Sequence, residues 1–363
     1  MSWSDARHVL AVRLDALGDL LMTTPALRAL KVAAPARRLT LLTSPAGAEV
    51  AALVPEVDDV VVYDAPWMKA TAPRADSAPD HAMLARLRRG GFDGAVVFTV
   101  YSQNPLPAAM LAYLADIPRR LAYCRENPYQ LLTDWIVDPE PARVVRHEVR
   151  RQLDLVAAIG CAGADERLSL RVPPAARDRV ARRLARLGLG ERPWVLLHPG
   201  ATAASRRYPP ERFAAAARDL ARETGCAIVL TGGPAERSLV EALRATLDGD
   251  AHSIVDLSLA EFAALVEAAP LLISNNSGPV HVAAAVGTPV VDLYALTNPQ
   301  HTPWAVPHRV LFRDVPCKYC YKSVCPEGHG HCLTLVDPAE VVEAALSLLH
   351  ETLPAPRGGP AEH

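Results

Sequence analysis

VLAVRLDALGDLLMTTPAL, residues 9–27, opens as an apolar run that reads as a β-strand, breaks at Gly18–Asp19, and resumes with helical spacing. A strand that turns sharply into a helix is half of a βαβ unit, and the same alternation continues along the chain. Strand candidates follow at residues 39–44 (LTLLTS), 60–64 (VVVYD) and 94–99 (GAVVFT), with Ala/Leu/Arg-rich helical stretches between them. The spacing therefore predicts an α/β protein with parallel sheets.

Around residues 172–193 the pattern is interrupted by Pro173–Pro174, an Arg-rich helix and a Gly/Pro break. A second series of strand candidates begins beyond it, at residues 194–200 (WVLLHPG), 227–233 (AIVLTGG), 271–276 (LLISNN) and 289–294 (PVVDLY). The expected organisation is two doubly wound domains facing each other across a cleft, where ligands of open α/β sheets usually sit. Residues 65–80 read as a Pro/Ala-rich loop, and residues 351–363 as a disordered tail.

With 38 Lys and Arg against 40 Asp and Glu, a net charge of −2 gives no general attraction to nucleic acid or to an anionic membrane. No apolar run approaches the roughly 20 residues needed to span a bilayer, and the N-terminus lacks a secretory layout. Seven cysteines, four of them within residues 317–332, suit a reduced compartment better than a disulfide scaffold. The expected location is cytoplasmic, with at most peripheral contact at the inner face of the membrane.

Several motifs carry chemistry. Asp19 falls near a helix N-terminus, where backbone N–H groups favour a carboxylate; it reads either as a cap or as a general base at a strand's C-terminal edge. In residues 198–213 (HPGATAASRRYPPERF), small residues at Gly200, Ala201 and Thr202 admit an anion to backbone amides. Arg206 supplies a guanidinium fork, and a solvated surface loop is the alternative. Residues 274–289 start a helix at Ser277–Gly278, a receptor for a diphosphate, with His281 one turn in.

Glu236, in the Gly-rich turn 231–236, is placed to accept from ribose hydroxyls. Asp248 and Asp250 read as a turn. The arginines of residues 177–187 read as a solvated face and those of 143–151 as the same, with contact to an anionic acceptor as the alternative for either stretch. Cys317, Cys320, Cys325 and Cys332, spaced C-x2-C-x4-C-x6-C, read as a structural zinc or iron site, as free thiols or as oxidised pairs.

Taken in order, RLDALGDLLMTTPALRAL, HPG…RRYPPERF, TGGPAE, SNNSGPVHVAAAVGTP and CKYCYKSVCPEGHGHCL resemble glycosyltransferase family nine, the heptosyltransferases of bacterial lipopolysaccharide assembly. The resemblance spans most of residues 9–348. It implies a GT-B fold: an acceptor-binding Rossmann-like domain over 1–173, a donor-binding one over 174–337, and a final helix, 338–350, crossing back to the first.

It also implies Asp19 as general base and donor contacts from Gly200, Ala201, Thr202, Arg206, Glu236, Leu257, Ser258, Asn276, Ser277, Gly278 and His281. Gly18, Arg120 and Arg125 fall on the acceptor side, as do residues 98–136 as a whole. That segment differs from the inner-core enzymes of the family, so the acceptor is expected to differ as well. The family usually has Asp at Asn276, Lys at Arg206 and Trp at Tyr208. Asn276 keeps hydrogen-bonding capacity without charge, and Arg206 keeps the charge.

The implied reaction is inverting transfer of a sugar, heptose from ADP-heptose, to a hydroxyl of a glycan or glycolipid acceptor. It uses no organic cofactor and no catalytic divalent metal, because Arg206 and the helix start at Ser277 would stabilise the leaving diphosphate. A nucleotide-sugar epimerase on the same fold and an inert nucleotide-sugar-binding protein are the alternatives.

Overall fold

The computed structural model describes residues 2–352 apart from 70, 164 and 248; the expected tail beyond 352 and the turn at Asp248 lie outside the described residues. The chain divides after Arg171 into two compact units.

The first unit runs β1 (His8–Arg13), α1 (Leu17–Ala33), β2 (Arg38–Thr43), α2 (Pro45–Ala51), β3 (Asp59–Val62), α3 (Ala78–Arg89), β4 (Gly94–Val97), α4 (Leu106–Leu114), β5 (Arg120–Cys124), β6 (Asp134–Val137) and α5 (Glu148–Ala157). Its six parallel strands lie in the order β3-β2-β1-β4-β5-β6. The central strands are nearly continuous Val, Leu and Ala because helices cover both faces of a parallel sheet.

The second unit runs α6 (Pro174–Arg186), β7 (Trp194–His198), α7 (Pro210–Thr224), β8 (Ala227–Gly232), α8 (Arg237–Ala245), β9 (Ala251–Val255), α9 (Leu259–Ala268), β10 (Leu272–Asn275), α10 (Gly278–Val286), β11 (Val290–Leu293), β12 (His308–Leu311), α11 (His331–Thr334) and α12 (Pro338–Thr352). Its order, β12-β11-β10-β7-β8-β9, repeats the doubly wound topology of the first. In each sheet the direction of winding reverses once, between β1 and β4 and between β7 and β10. Loops leaving those strand ends are where such sheets bind ligands.

The expected α/β class of two Rossmann-like doubly wound domains is what the two sheets show. Four strands have no counterpart in the sequence reading: β5, β6, β9 and β12. The helix expected to cross back to the first domain, α12, buries Val341, Val342, Ala345 and Leu348 in the second unit's core, against α7, β11 and β12.

Local chemistry explains the first turn. Pro25 lies inside α1 and has no N–H for the carbonyl of Leu21; the Thr24 hydroxyl donates to that oxygen instead, at 2.7 Å. The Thr23 hydroxyl likewise donates to the Asp19 carbonyl at 2.8 Å. The helix thus continues through a proline and holds its first turn, with Asp19 in it, against the end of β1.

Arg120, expected among the acceptor contacts, opens β5 and is buried. Its guanidinium donates to the carbonyls of Leu131 (2.8 Å), Gln130 (2.8 Å) and Ile117, and stacks over Tyr113. With Nε, Nη1 and Nη2 all engaged by backbone oxygens, it pins the β5–β6 connection rather than a substrate. Two of the arginines of 143–151 are corrected in the same way, while Arg143 is exposed and Arg150 pairs with Glu166 at the surface. Arg151 is buried against Asp138 and Glu140, and Arg146 pairs with Glu140 and Asp154. Those of α6 do form a solvated face, where Arg177 and Arg179 meet Glu267 and Glu261.

Replacing Arg120 with Gln leaves carbonyl oxygens without donors, so unfolding free energy should fall by about 2–3 kcal/mol. Chemical denaturation measures this, and the acceptor KM of the variant, assayed where it remains folded, should be unchanged.

Candidate functional site

The first unit carries its site at its winding reversal. A pocket of about 840 Å³ opens beyond the ends of β1 and β4, lined by Asp15, Asp19, Ser44, Trp67, Phe98 and Gln103 among others. Beneath it lies Arg13, the last residue of β1, with no exposed side-chain surface. Its Nε is 2.9 Å from Asp15, Nη2 is 3.3 Å from Asp19 and Nη1 is 2.9 Å from the buried Glu148 at the start of α5. All three nitrogens meet their carboxylates as close ion pairs and not as well-aligned hydrogen bonds.

One guanidinium thus faces three carboxylates, +1 against −3 if all ionise. Burial pushes Asp15 and Glu148 up from the ordinary carboxylate range, which moderates that excess. Burial disfavours the charge on Arg13, but Asp15, Glu148 and Asp19 outweigh it and hold the guanidinium above its usual range. Asp15 accepts from Gln103, and Glu148 accepts from Gln152 at 2.7 Å, which leaves Asp19 as the member most open to the pocket, its side chain 21% exposed against 10% for Asp15. Gly18 is buried in the same helical turn. Arg125 is exposed on the turn after β5 and does not line the pocket.

The second unit builds a separate constellation at its own reversal. Asn275, the last residue of β10, accepts from the Tyr208 amide at 2.9 Å and donates to the carbonyls of Pro199 (2.7 Å) and Gly200 (3.3 Å). This side chain bolts the loop after β7 to the neighbouring strand. On that loop Arg207 is tied down by the carbonyl of Ala201 at 2.7 Å. The Arg206 guanidinium donates from Nε to the Thr297 hydroxyl at 3.3 Å and lies near Tyr294, and among the described residues it has no carboxylate within ion-pair distance. Thr202 is exposed on the same loop.

Gly200 has a steric reason to be glycine, since a Cβ there would sit 1.8 Å from the Glu236 carboxylate. Glu236 accepts from the Gly233 amide at 2.8 Å and lies 3.4 Å from Nε2 of His198, whose burial pulls the imidazole below its usual range despite that acid. Ser277 occupies the N-cap position of α10 without a side-chain cap bond, its hydroxyl donating instead to the Asn275 carbonyl at 3.2 Å, with Gly278 as the first helical residue. His281 is buried one turn on, its ring edge-to-face with His301 at 6.5 Å.

Asn276 donates through Nδ2 to Asp292 (2.9 Å) and to the His301 carbonyl (2.8 Å). Asp292 is fully buried, and burial pushes its carboxyl up to about 8. Residue 276 is thus a neutral amide here, and the acid beside it, Asp292, lies on the adjacent strand as the register partner of Ser274.

Two expectations are corrected. Ser258 is the N-cap of α9, where its hydroxyl and amide both engage Glu261, so its side chain belongs to the helix start; Leu257 precedes it as half-buried backbone. The four cysteines are free thiols that line one cavity of about 20 Å³ with His329 and His331. Yet among the described residues no three His, Cys, Asp or Glu side chains are placed to hold a metal ion, so they do not fit a zinc or iron centre as arranged. Burial and the neighbouring sulfurs push the Cys332 thiol up.

The cysteine segment does brace the loop after β7. Ser205 donates to the carbonyls of Ser323 (3.0 Å) and Lys322 (2.7 Å), and Tyr319 and Tyr321 donate to Leu296 (2.6 Å) and Thr297 (2.9 Å). Arg13, Glu148, Asn275 and Asp292 are the residues the sequence reading missed. The signal for each was a charged or amide side chain inside an otherwise apolar strand or at a helix start.

Residues 81–331 match the family model described as glycosyltransferase family 9 (heptosyltransferase). The chain belongs to glycosyltransferase family 9. This family 9 enzyme is 27% identical over 285 residues, 74% of its length and 79% of the other's, to lipooligosaccharide heptosyltransferase 2 of Haemophilus influenzae. Its fold is similar to a family 9 glycosyltransferase from Veillonella parvula, with TM-score 0.78, 23% identity and coverage of 97% and 99% of the two chains. It is also similar to the ADP-heptose lipopolysaccharide heptosyltransferase II of E. coli, with TM-score 0.74, 22% identity and coverage of 95% and 99%. Among the described residues, no helix of the family 9 chain is long and apolar enough to cross a membrane.

Arg13→Met would leave Glu148 buried without its cation and should cost about 3–5 kcal/mol of stability by denaturant titration. Asp292 sets a pH dependence of definite sign. Its folded value near 8 lies above the unfolded value near 3.9, so its contribution to stability is full below about 4 and is lost as pH rises toward 8. Asp292→Asn should remove that loss, its advantage over wild type growing from pH 4 to 8 in thermal unfolding.

Proposed function

We propose that this enzyme is an inverting glycosyltransferase that moves heptose from ADP-heptose to a hydroxyl of a glycan or glycolipid. The observation that carries the reading is Asp19: an open carboxylate in a pocket of about 840 Å³, braced from below by a buried arginine. The carboxylate takes the proton of the acceptor hydroxyl as that oxygen attacks the anomeric carbon. The bond to the diphosphate breaks on the opposite face, and ADP leaves with the electron pair.

The leaving group needs charge stabilisation, not a proton. Arg206, the amides of Gly200–Thr202 and the start of α10 at Ser277 and Gly278 are the groups assigned to supply it, with His281 beside them. Glu236 is assigned to the ribose and Asn276 to a sugar hydroxyl. The ADP-heptose donor is favoured by the E. coli neighbour named for that substrate. Action at the inner face of the cytoplasmic membrane, by peripheral contact, follows from a glycolipid acceptor.

Asp19→Ala should bind ADP normally in calorimetry and lose about three decades or more of turnover, the scale of general-base catalysis compounded by misplacement. Near-normal ADP release would assign the base elsewhere. In a thermal-shift series of ADP-, UDP-, GDP- and dTDP-sugars, the ADP sugar should stabilise most. A product whose anomeric configuration matches the donor's, read by NMR, would overturn inversion.

A further inference from the structure

The pocket that holds Asp19 also carries information about what enters it. Its wall contains three carboxylates, Asp15, Asp19 and Asp64, and among the described residues lining it the one cation is Lys69. Arg13 offsets only part of this charge from beneath, because its one guanidinium is shared among Asp15, Asp19 and the buried Glu148, and it does not reach Asp64. Arg120 is turned to its own carbonyls, and Arg125 stands outside the lining. An acceptor bearing phosphate or carboxylate groups would enter against acid and find little to pair with.

The remaining polar groups are neutral. Ser44, Thr99, Ser102, Gln103 and Asn104 offer hydroxyl and amide partners, which suit a sugar's hydroxyls. Trp67 and Phe98 stand in the same wall. Trp67 is half-buried and held edge-on by Tyr63, with centroids 5.6 Å apart at 70°. Its amphipathic ring provides a surface for the apolar face of a pyranose.

We infer that the acceptor sugar is uncharged: a neutral glycan stacked near Trp67, with its attacking hydroxyl at Asp19 and the carboxylates excluding anionic sugars. The inference rests on the glycosyltransferase reading above and names its substrate class. Like-charge exclusion of this kind discriminates between substrates that fit the pocket equally well.

The test uses the full chain and matched oligosaccharides that differ only in charge, one carrying a terminal uronate and the other its carboxyl-reduced neutral counterpart. Binding is followed through the Trp67 indole NMR signal, assigned with Trp67→Phe. The neutral glycan should bind at least about tenfold more tightly at low salt, with the gap narrowing as salt screens the carboxylates. Asp64→Asn should narrow it further, by weakening exclusion of the uronate. Equal or tighter binding of the uronate, or no perturbation of Trp67 by the neutral glycan, would overturn the inference. ADP release from ADP-heptose is scored separately. Release with anionic acceptors alone would retain the transferase and refute the neutral acceptor, whereas a bound neutral glycan without ADP release would do the reverse.

Discussion

A guanidinium sealed under the floor of a pocket, touching three acids, is the constraint around which the first unit is arranged. Arg13 can reside there only because Asp15, Asp19 and Glu148 converge on it from the end of β1, the first turn of α1 and the start of α5. Breaking such a pair leaves an unpaired buried charge, so the three elements are held in register by a cost common to them all. Asp19 inherits its position from that arrangement, and Gln152, which donates both to Glu148 and to the Thr99 carbonyl, carries it on to the loop after β4.

The second unit solves the matching problem with a neutral side chain. Asn275 uses its carbonyl and amide at once, joining the end of β10 to the loop after β7 and to Tyr208. The Tyr208 hydroxyl reaches the Val336 carbonyl at 2.8 Å, so the same link extends to the segment leading into α12. Both units place their working loops where the winding of a parallel sheet reverses, a consequence of topology before any particular residue is considered.

Much of this was legible in the residues. Strands with continuous Val, Leu and Ala announced themselves, because burial on both faces leaves no other composition. β6, β9 and β12 lie at sheet edges, half covered, with His, Arg, Ser or Asp among their few residues, and they carry no such signature. β5 was hidden by the arginine that opens it. Asp19 read from the residues alone as a cap or a base, and the structure puts it in the first turn of α1 and in the pocket wall, 3.3 Å from Arg13. Arg120 was misjudged because sequence does not disclose where guanidinium hydrogens go, and here they face carbonyls three to eleven residues away in the chain. The cysteines had ligand spacing and do line one small cavity together, but the closer approach a metal ion needs is a property of backbone path, which spacing alone does not set.

That backbone path has its own importance. The stretch around Tyr319–Ser323 is stitched by main-chain hydrogen bonds to Leu296, Thr297 and Ser205, the immediate neighbour of Arg206. Maleimide dyes, cross-linkers or affinity handles attached to its thiols would therefore tug on a loop assigned to nucleotide-sugar handling. A fluorophore placed there becomes a reporter of that loop's posture, not an inert label.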